Sequence, residues 1–285
     1  VALALLTDPD LANWIDETAL FPNAMVDCIV PVTGQAELSF VRNIGIEDSV
    51  PVTHENYRQW VVEDRFCAGR PPWEHVGATI TDNVHAYESM KIRILNAGHQ
   101  VLANTGEILG IETIADCMTD PLIPAFFHRV QTREFLPYVA AVEEIAPEDY
   151  LALIERRFAN PKIRDTTRRV AFDGSSRHPG FVLPILRNAL ASGGEVDGLA
   201  LVEALWARMC AGIREDRTVI EPNDPFWDQL CATAGHAKSN PVVWLEMREI
   251  YGDLADYPQF ADAFSCWLKL IWSDGVRAAL KVYCS

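Results

Sequence analysis

From about residue 147 onward the chain is punctuated by helix starts and stops, and nothing else in the sequence constrains its fold as strongly. Asn160-Pro161 is answered by Gly174, Asp224-Pro225 by Gly235, and Asn240-Pro241 by Gly252. Each set supplies a side chain that can cap free amides, a proline whose missing N–H is not needed in the first turn, and a glycine able to turn left-handed past the last. A helix is predicted inside each pair. Asp197 is predicted to cap a helix over 199–210 ahead of Gly212, and a helix over 179–191 ends at Gly193-Gly194. The last two, over 258–272 and 276–283, flank Ser273-Asp274-Gly275. Their spacing is irregular and they do not resemble one another, which points to a globular α domain and not to a stacked repeat.

Upstream the pattern is mixed. Residues 1–6 read as the remnant of a helix, and 10–18 as a short amphipathic helix with Leu11, Trp14 and Ile15 on one face. Residues 25–32, 59–63 and 77–81 are apolar and β-branched enough to be strands, separated by a weak helix over 35–43 and turn-rich loops. Asp27, inside the first strand, reads either as a salt-bridged structural acid or as a site carboxylate. A helix is predicted to start at 84–87 behind Asp82 or Asn83 and to run past Leu102 toward Gly106, with shorter helices over 108–118 and 121–130. The expected fold class is mostly α (α+β): many helices, with a small β element near the start.

Forty acidic residues against 24 basic give a net charge of −16, which opposes binding to phosphate backbones and anionic membranes. No apolar run approaches the roughly 18 residues a bilayer span needs. Neither nucleic acid nor a membrane is expected as a partner. The seven cysteines are scattered with no C-x-x-C pair, and read as reduced, mostly buried thiols of a cytoplasmic protein. The seven histidines show no metal-ligand spacing, so no metal is expected. No G-x-G-x-x-G or G-x-x-x-x-G-K-[ST] loop occurs. Val1 to Asp8 has no helix start and reads like the middle of a longer protein.

Within 87–101 an apolar helical pattern carries Glu88, Lys91, Asn96 and His99. At about 100° per residue, with Lys91 at zero, Glu88 falls near ~60°, His99 near ~80° and Asn96 near ~140°, so one flank presents all four. A lysine can act as a base, an asparagine amide can donate to a developing oxyanion, and a histidine can orient or accept. Spacing alone equally describes polar residues at the edge of an amphipathic helix, and by itself favours that reading. Gly98 costs about 1 kcal/mol against alanine in a helix, so it marks close approach of another backbone or a ligand. In the helix expected after Asn160, Arg169 lies at the edge of the face formed by Ile163, Thr167 and Val170, half-buried, with Asp173 four residues on as a simple ion-pair partner.

Four blocks taken together resemble the long-chain polyol dehydrogenases of the mannitol dehydrogenase family. They are Phe21-Pro22-Asn23-Ala24-Met25-Val26-Asp27, Gln59-Trp60-Val61-Val62-Glu63-Asp64, Lys91-Ile92-Arg93-Ile94-Leu95-Asn96-Ala97-Gly98-His99 and Asp173-Gly174-Ser175-Ser176-Arg177. The resemblance covers essentially the whole chain. Its K-x4-N-x2-H block is that family's catalytic signature, which turns the reading of 87–101 toward chemistry.

The resemblance implies a metal-independent, NAD-linked enzyme in which a Rossmann domain precedes a helical substrate domain of the 6-phosphogluconate-dehydrogenase-C-terminal-like fold. Residues 1–31 would be the tail of the first domain and 32–285 the second. The main NAD site, and a further asparagine of the oxyanion pair, would lie before Val1. Lys91 would be the general base, Asn96 an oxyanion donor, and His99 a substrate ligand that orients Lys91. Arg169 and Arg177 would bind substrate hydroxyls with Asp27 nearby, and Glu88 would relay the proton to solvent. The family contains lysine where Arg177 stands, a contact of different geometry. A free lysine near about 10.4 is mostly protonated at neutral pH, so burial and cations such as Arg169 or a charged His99 are expected to lower it. The implied reaction is reversible oxidation of mannitol to fructose, with arabinitol or sorbitol also accepted. The implied partners are a small polyol or ketose and the Rossmann domain of the same protein. A uronate reductase of the same superfamily and a non-catalytic sugar-binding module are the alternatives, and the intact Lys91, Asn96 and His99 argue against the second.

Overall fold

The computed structural model describes residues 7–285, and the helix remnant read at 1–6 lies outside the described residues. The described chain forms two compact units, one of residues 7–30 and 54–88, the other of residues 31–53 and 89–285.

In the first unit the helix Pro9–Thr18 starts behind Asp8, whose carboxylate accepts from the amides of Asp10 and Leu11 at 3.1 Å each. Leu11 and Trp14 on its apolar face stay exposed. The three expected strands form one sheet: β1 (Ala24–Asp27) runs antiparallel to β2 (Gln59–Glu63), and β3 (Thr79–Thr81) runs parallel to β2. Met25 pairs with Val61 and Ile80 with Val62, and the two valines are buried. The first strand stops at Asp27, short of the expected 32. Beyond it the Ile29 amide turns to the buried Glu55 carboxyl, 2.6 Å away, and leaves the ladder.

The second unit is helical. Its core is the helix Asp197–Met209, in which every residue from Gly198 on is buried, packed chiefly against the helices Pro258–Asp274 and Ala97–Leu109. A helix start buried in this way needs partners for its free amides. Asp197 does not supply them, since its carboxyl accepts from Trp267 Nε1 at 2.9 Å. Buried Glu134 accepts from the amides of Gly198 (2.6 Å) and Leu199 (2.8 Å) and from the Tyr283 hydroxyl (2.8 Å).

Other start and stop signals hold in part. The helix Leu183–Ser192 closes at Gly193 with φ 68°, and Pro258–Asp274 and Val276–Cys284 sit where expected. Trp227–Ala237 runs past Gly235, whose surroundings are open. The segment after Pro241 breaks into Val242–Leu245 and Arg248–Tyr251 before Gly252. The expected helix over 108–118 is interrupted by Gly110 at φ 70°, with Ile114–Cys117 beyond it. No continuous helix fills 160–174. There the Thr166 backbone bridges to Thr113, with Ile114 N bonded to Asp165 O (2.9 Å) and Thr167 N to Glu112 O (3.0 Å). This extended pairing leaves only the short helices Thr167–Ala171 and Gly174–Arg177. Of the seven cysteines only Cys117 and Cys210 are buried. Cys266, for one, lies off the buried line Phe260, Phe264, Trp267 and Ile271 of its helix.

Candidate active site

The segment carrying Lys91, Asn96 and His99 is helical over its expected length, but its winding differs. Val84–Met90 is α-helical, Lys91–Asn96 is a π-helix, and Ala97–Leu109 is α-helical. The Ala97 amide bonds the Ile92 carbonyl, closing a five-residue ring. Each residue of a π turn rotates the chain less than an α residue does, so residues five apart stack as residues four apart do in an α-helix. Asn96, at about 140° from Lys91 under α geometry, is brought round toward the lysine, and His99 swings back toward the same line.

The cause of this winding comes from 37 residues away in sequence. Fully buried Gln131 donates through Nε2 to the Ile94 carbonyl at 3.0 Å, an insertion into the helical ladder. Gly98 makes the room. A Cβ there would stand 2.7 Å from Gln131 Nε2 and 2.9 Å from the Phe127 ring. Gly98 thus marks a close approach, as its sequence position suggested, but of side chains and not of a backbone or ligand.

His99 stacks on Phe158 with centroids 4.2 Å apart and planes at 22°. Its Nε2 is sealed from solvent and has no hydrogen-bond partner among the described residues. Burial, reinforced by the guanidinium groups of Arg169, Arg157 and Arg177, pushes the imidazole down to about 3. His99 is therefore neutral at physiological pH, and cannot be the cation expected to act on Lys91.

Arg169 is half-buried as expected, but its partner is Asp165 and not Asp173. The bond from Nε to Oδ1 is 2.5 Å and a second runs from Nη2 to Oδ2, a fork that fixes the guanidinium in plane. Asp173 instead turns left-handed at φ 61° and accepts from the Ser176 hydroxyl at 3.0 Å. Arg177 donates to the Val170 carbonyl at 2.8 Å, and burial together with the charge of Arg169 lowers its pKa. Both arginines line a cavity of about 370 Å³ with Thr166, Arg168, Phe172 and Asn223. Arg168 donates to the carbonyls of Glu221 and Pro222, at 2.9 Å each.

Lys91 and Asn96 are half-buried on the π turn. Asp27 and Glu88 belong to the first unit, where Asp27 is buried at the end of β1 and Glu88 meets His85 Nδ1 at 3.0 Å. Arg157, buried beside Phe158, went unnoticed in the sequence. Its signal was an arginine standing in line with Tyr150 and Ile154, on a helix face that should be apolar. Among the described residues no three His, Cys, Asp or Glu side chains gather into a metal-holding group, and no helix is long and apolar enough to cross a membrane.

Two family models match the chain: the mannitol dehydrogenase C-terminal domain over residues 83–272 and the mannitol dehydrogenase Rossmann domain over residues 1–75. The mannitol 2-dehydrogenase of Cereibacter sphaeroides is 49% identical over 281 residues, covering 99% of this chain and 59% of that protein. Pseudomonas fluorescens mannitol 2-dehydrogenase, solved as a ternary complex with NAD and D-mannitol, superimposes with a TM-score of 0.89 at 35% identity, covering 99% of this chain and 58% of that one. A D-sorbitol dehydrogenase in substrate-free form gives a TM-score of 0.87 at 30% identity, covering 97% of this chain and 57% of that one. The chain thus spans between half and three-fifths of the length of the curated relatives it matches.

Proposed function

This chain belongs to the mannitol dehydrogenase family, and from that premise we propose that it supplies the substrate-binding and proton-transferring part of an NAD-dependent polyol dehydrogenase. The reaction is the interconversion of mannitol and fructose, with arabinitol or sorbitol as further substrates. The substrate domain, of the 6-phosphogluconate-dehydrogenase-C-terminal-like fold, includes residues 83–272, the stretch matched by the C-terminal model, and so starts later than the residue 32 expected from sequence. Residues 1–31 close the dinucleotide-binding domain together with the residues that follow them up to 75, where the Rossmann match ends. The enzyme works in the cytoplasm, where scattered cysteines without a C-x-x-C pair stay reduced.

The observation that carries this reading is the neutral, stacked His99 with its unpartnered Nε2, set among Arg157, Arg169 and Arg177. A neutral imidazole can donate to or accept from an alcohol, and guanidinium groups donate to hydroxyl oxygens. A site that pairs several hydroxyls discriminates strongly, because an analogue lacking one leaves a buried polar group unpaired.

NAD supplies the hydride acceptor when bound, but the described residues do not form a cradle for its phosphates. The strand-to-helix turn after β3, Thr81-Asp82-Asn83, carries a carboxylate and no glycine, unlike the glycine-rich turns that hold a pyrophosphate. Its binding is assigned to the part of the relatives that this chain does not cover. The residues of this chain manage the proton. In oxidation, Lys91 takes the hydroxyl proton, the Asn96 amide donates to the oxygen on which charge develops, and His99 holds the substrate hydroxyl. Arg169 and Arg177 donate to hydroxyls farther along the polyol. By family resemblance Asp27 is a further substrate contact, and Glu88, three residues before Lys91, is the proton relay.

Replacing Lys91 with alanine in the full-length protein should abolish the chemical step and leave NAD binding intact, and unchanged turnover would overturn the assignment. The three arginines of the 370 Å³ cavity favour a second reading, a uronate reductase, since they would pair a substrate carboxylate. Comparing fructose with fructuronate under NADH separates the two: faster reduction of fructuronate selects the second.

A further inference from the structure

Behind the candidate site, the second unit buries a chain of polar groups that the proton chemistry does not use. His178 Nδ1 lies 2.7 Å from Glu203 Oε1, and its Nε2 lies 3.0 Å from Asn104 Nδ2. The Tyr251 hydroxyl donates to Glu203 Oε2 at 2.8 Å, and Trp244 Nε1 donates to the Tyr251 oxygen at 2.6 Å. The His178 ring stacks on Trp206 with centroids 4.2 Å apart and planes at 13°. His178, Glu203 and Tyr251 are wholly inaccessible, and Asn104 is 1% exposed. The Asn104 amide nitrogen donates to Nε2, which leaves Nδ1 as the ring donor, hydrogen-bonded to Glu203 Oε1. Burial and the neighbouring carboxyl push the Tyr251 phenol up, so it remains a donor.

A carboxyl buried in this way is costly, and apolar residues of similar volume would usually serve stability as well or better. What the network does hold is direction. Asn104 stands on Ala97–Leu109, five residues after His99, and Glu203 stands on the central helix Asp197–Met209. His178 directly follows Arg177 and opens the π turn His178–Val182. The bonds therefore tie two segments bearing candidate substrate ligands to one rigid helix. Arg177 depends on this more than Arg169 does. Asp165 grips Arg169 by a fork, whereas among the described residues no carboxylate lies within ion-pair distance of Arg177, and the charge of Arg169 repels it. The hydrogen bonds stop the Arg177 segment from sliding and the stack on Trp206 stops it from turning.

We infer that His178 and Glu203 are positioning residues that hold Arg177 in the orientation in which it binds a substrate hydroxyl. The inference rests on the functional reading above. Its test is a double-mutant cycle in the full-length protein, with mannitol and NAD as substrates. His178→Phe keeps a ring on Trp206 and loses both hydrogen bonds. It should raise KM about tenfold with kcat nearly unchanged, the mark of lost uniform binding. Arg177→Gln should do the same, and the double variant should be no worse than Arg177→Gln alone. Should His178→Phe not fold, Glu203→Gln keeps the shape, its amide oxygen accepting from His178 Nδ1 and its amide nitrogen donating to the Tyr251 oxygen, and loses only the charge. It should give a smaller rise in KM that also vanishes in the Arg177→Gln background. Additive effects, or a fall in kcat at constant KM, would overturn the inference while leaving the enzyme assignment standing. Absence of polyol turnover in the wild type would overturn the functional reading instead. In that case a crystal structure of His178→Phe still decides the positioning role, which Arg177 in its original place would refute.

Discussion

Gly98→Ala is the substitution on which the account of the π turn most directly depends. In an ordinary helix interior this change gains about 1 kcal/mol, because alanine has less backbone entropy to lose. At Gly98 the new methyl would meet Gln131 Nε2 at 2.7 Å and two Phe127 ring atoms at 2.9 and 3.2 Å. Gln131 and Phe127 are both fully buried, so neither can swing into solvent. Overpacking of this kind costs about 1–3 kcal/mol. If Gln131 retreats, its bond to the Ile94 carbonyl is lost and two buried polar groups go unpaired, at about 1–3 kcal/mol more. The net expectation is a loss of about 1–5 kcal/mol where helix propensity alone predicts a gain. Urea unfolding followed by circular dichroism measures it. Gly235→Ala is the control, because its methyl meets nothing within 4 Å in the helix Trp227–Ala237, and it should gain about 0.5–1 kcal/mol. Adding Gln131→Ala to Gly98→Ala should recover part of the loss, with Phe127 accounting for the remainder. If Gly98→Ala stabilises the protein as Gly235→Ala does, the account of the π turn is wrong.

Two further outcomes follow from the same site. The folded protein holds His99 down to about 3, below its ordinary 6.5, so the stability linked to the neutral ring is complete above about pH 6.5 and is lost as pH falls toward 3. Wild-type unfolding free energy should drop relative to His99→Phe by up to about 1.4 kcal/mol per pH unit between about pH 6 and 4, and a constant difference between the two proteins would refute the neutral, buried ring. Asp165→Asn removes the charge and half the fork that hold Arg169, so KM for the polyol should rise about tenfold with kcat held. Unchanged steady-state constants would mean that Arg169 either is held by other contacts or does not bind substrate.

Much of the architecture was legible because its signals are local. A cap, a proline and a glycine act within one turn of themselves, so Leu183–Ser192, Pro258–Asp274 and Val276–Cys284 follow from neighbours a few residues apart. Strand β2 was readable from its own apolar run. The order Lys91, Asn96, His99 is likewise a property of the sequence, and with it the family resemblance. At two places where local signals failed, a distant group had taken over the backbone's hydrogen bonds. Residues 112–114 pair with 165–167 and keep 160–174 from winding into one helix, although Asn160-Pro161 announces one. Glu134 satisfies amides at the start of the central helix that Asp197 was expected to cap.

The candidate site divides along the same line. By itself the sequence determined which reactive side chains the helix carries and in what order, because covalent spacing is enough for that. Only the tertiary structure decided how they are presented. Gln131, reaching in through the gap left by Gly98, winds the Lys91–Asn96 segment as a π turn. Burial against Phe158 among three arginines keeps His99 neutral, and Asp165, not Asp173, grips Arg169. Each of these depends on desolvation and on hydrogen bonds between groups far apart in the chain, energies that exist only once the core has closed around them.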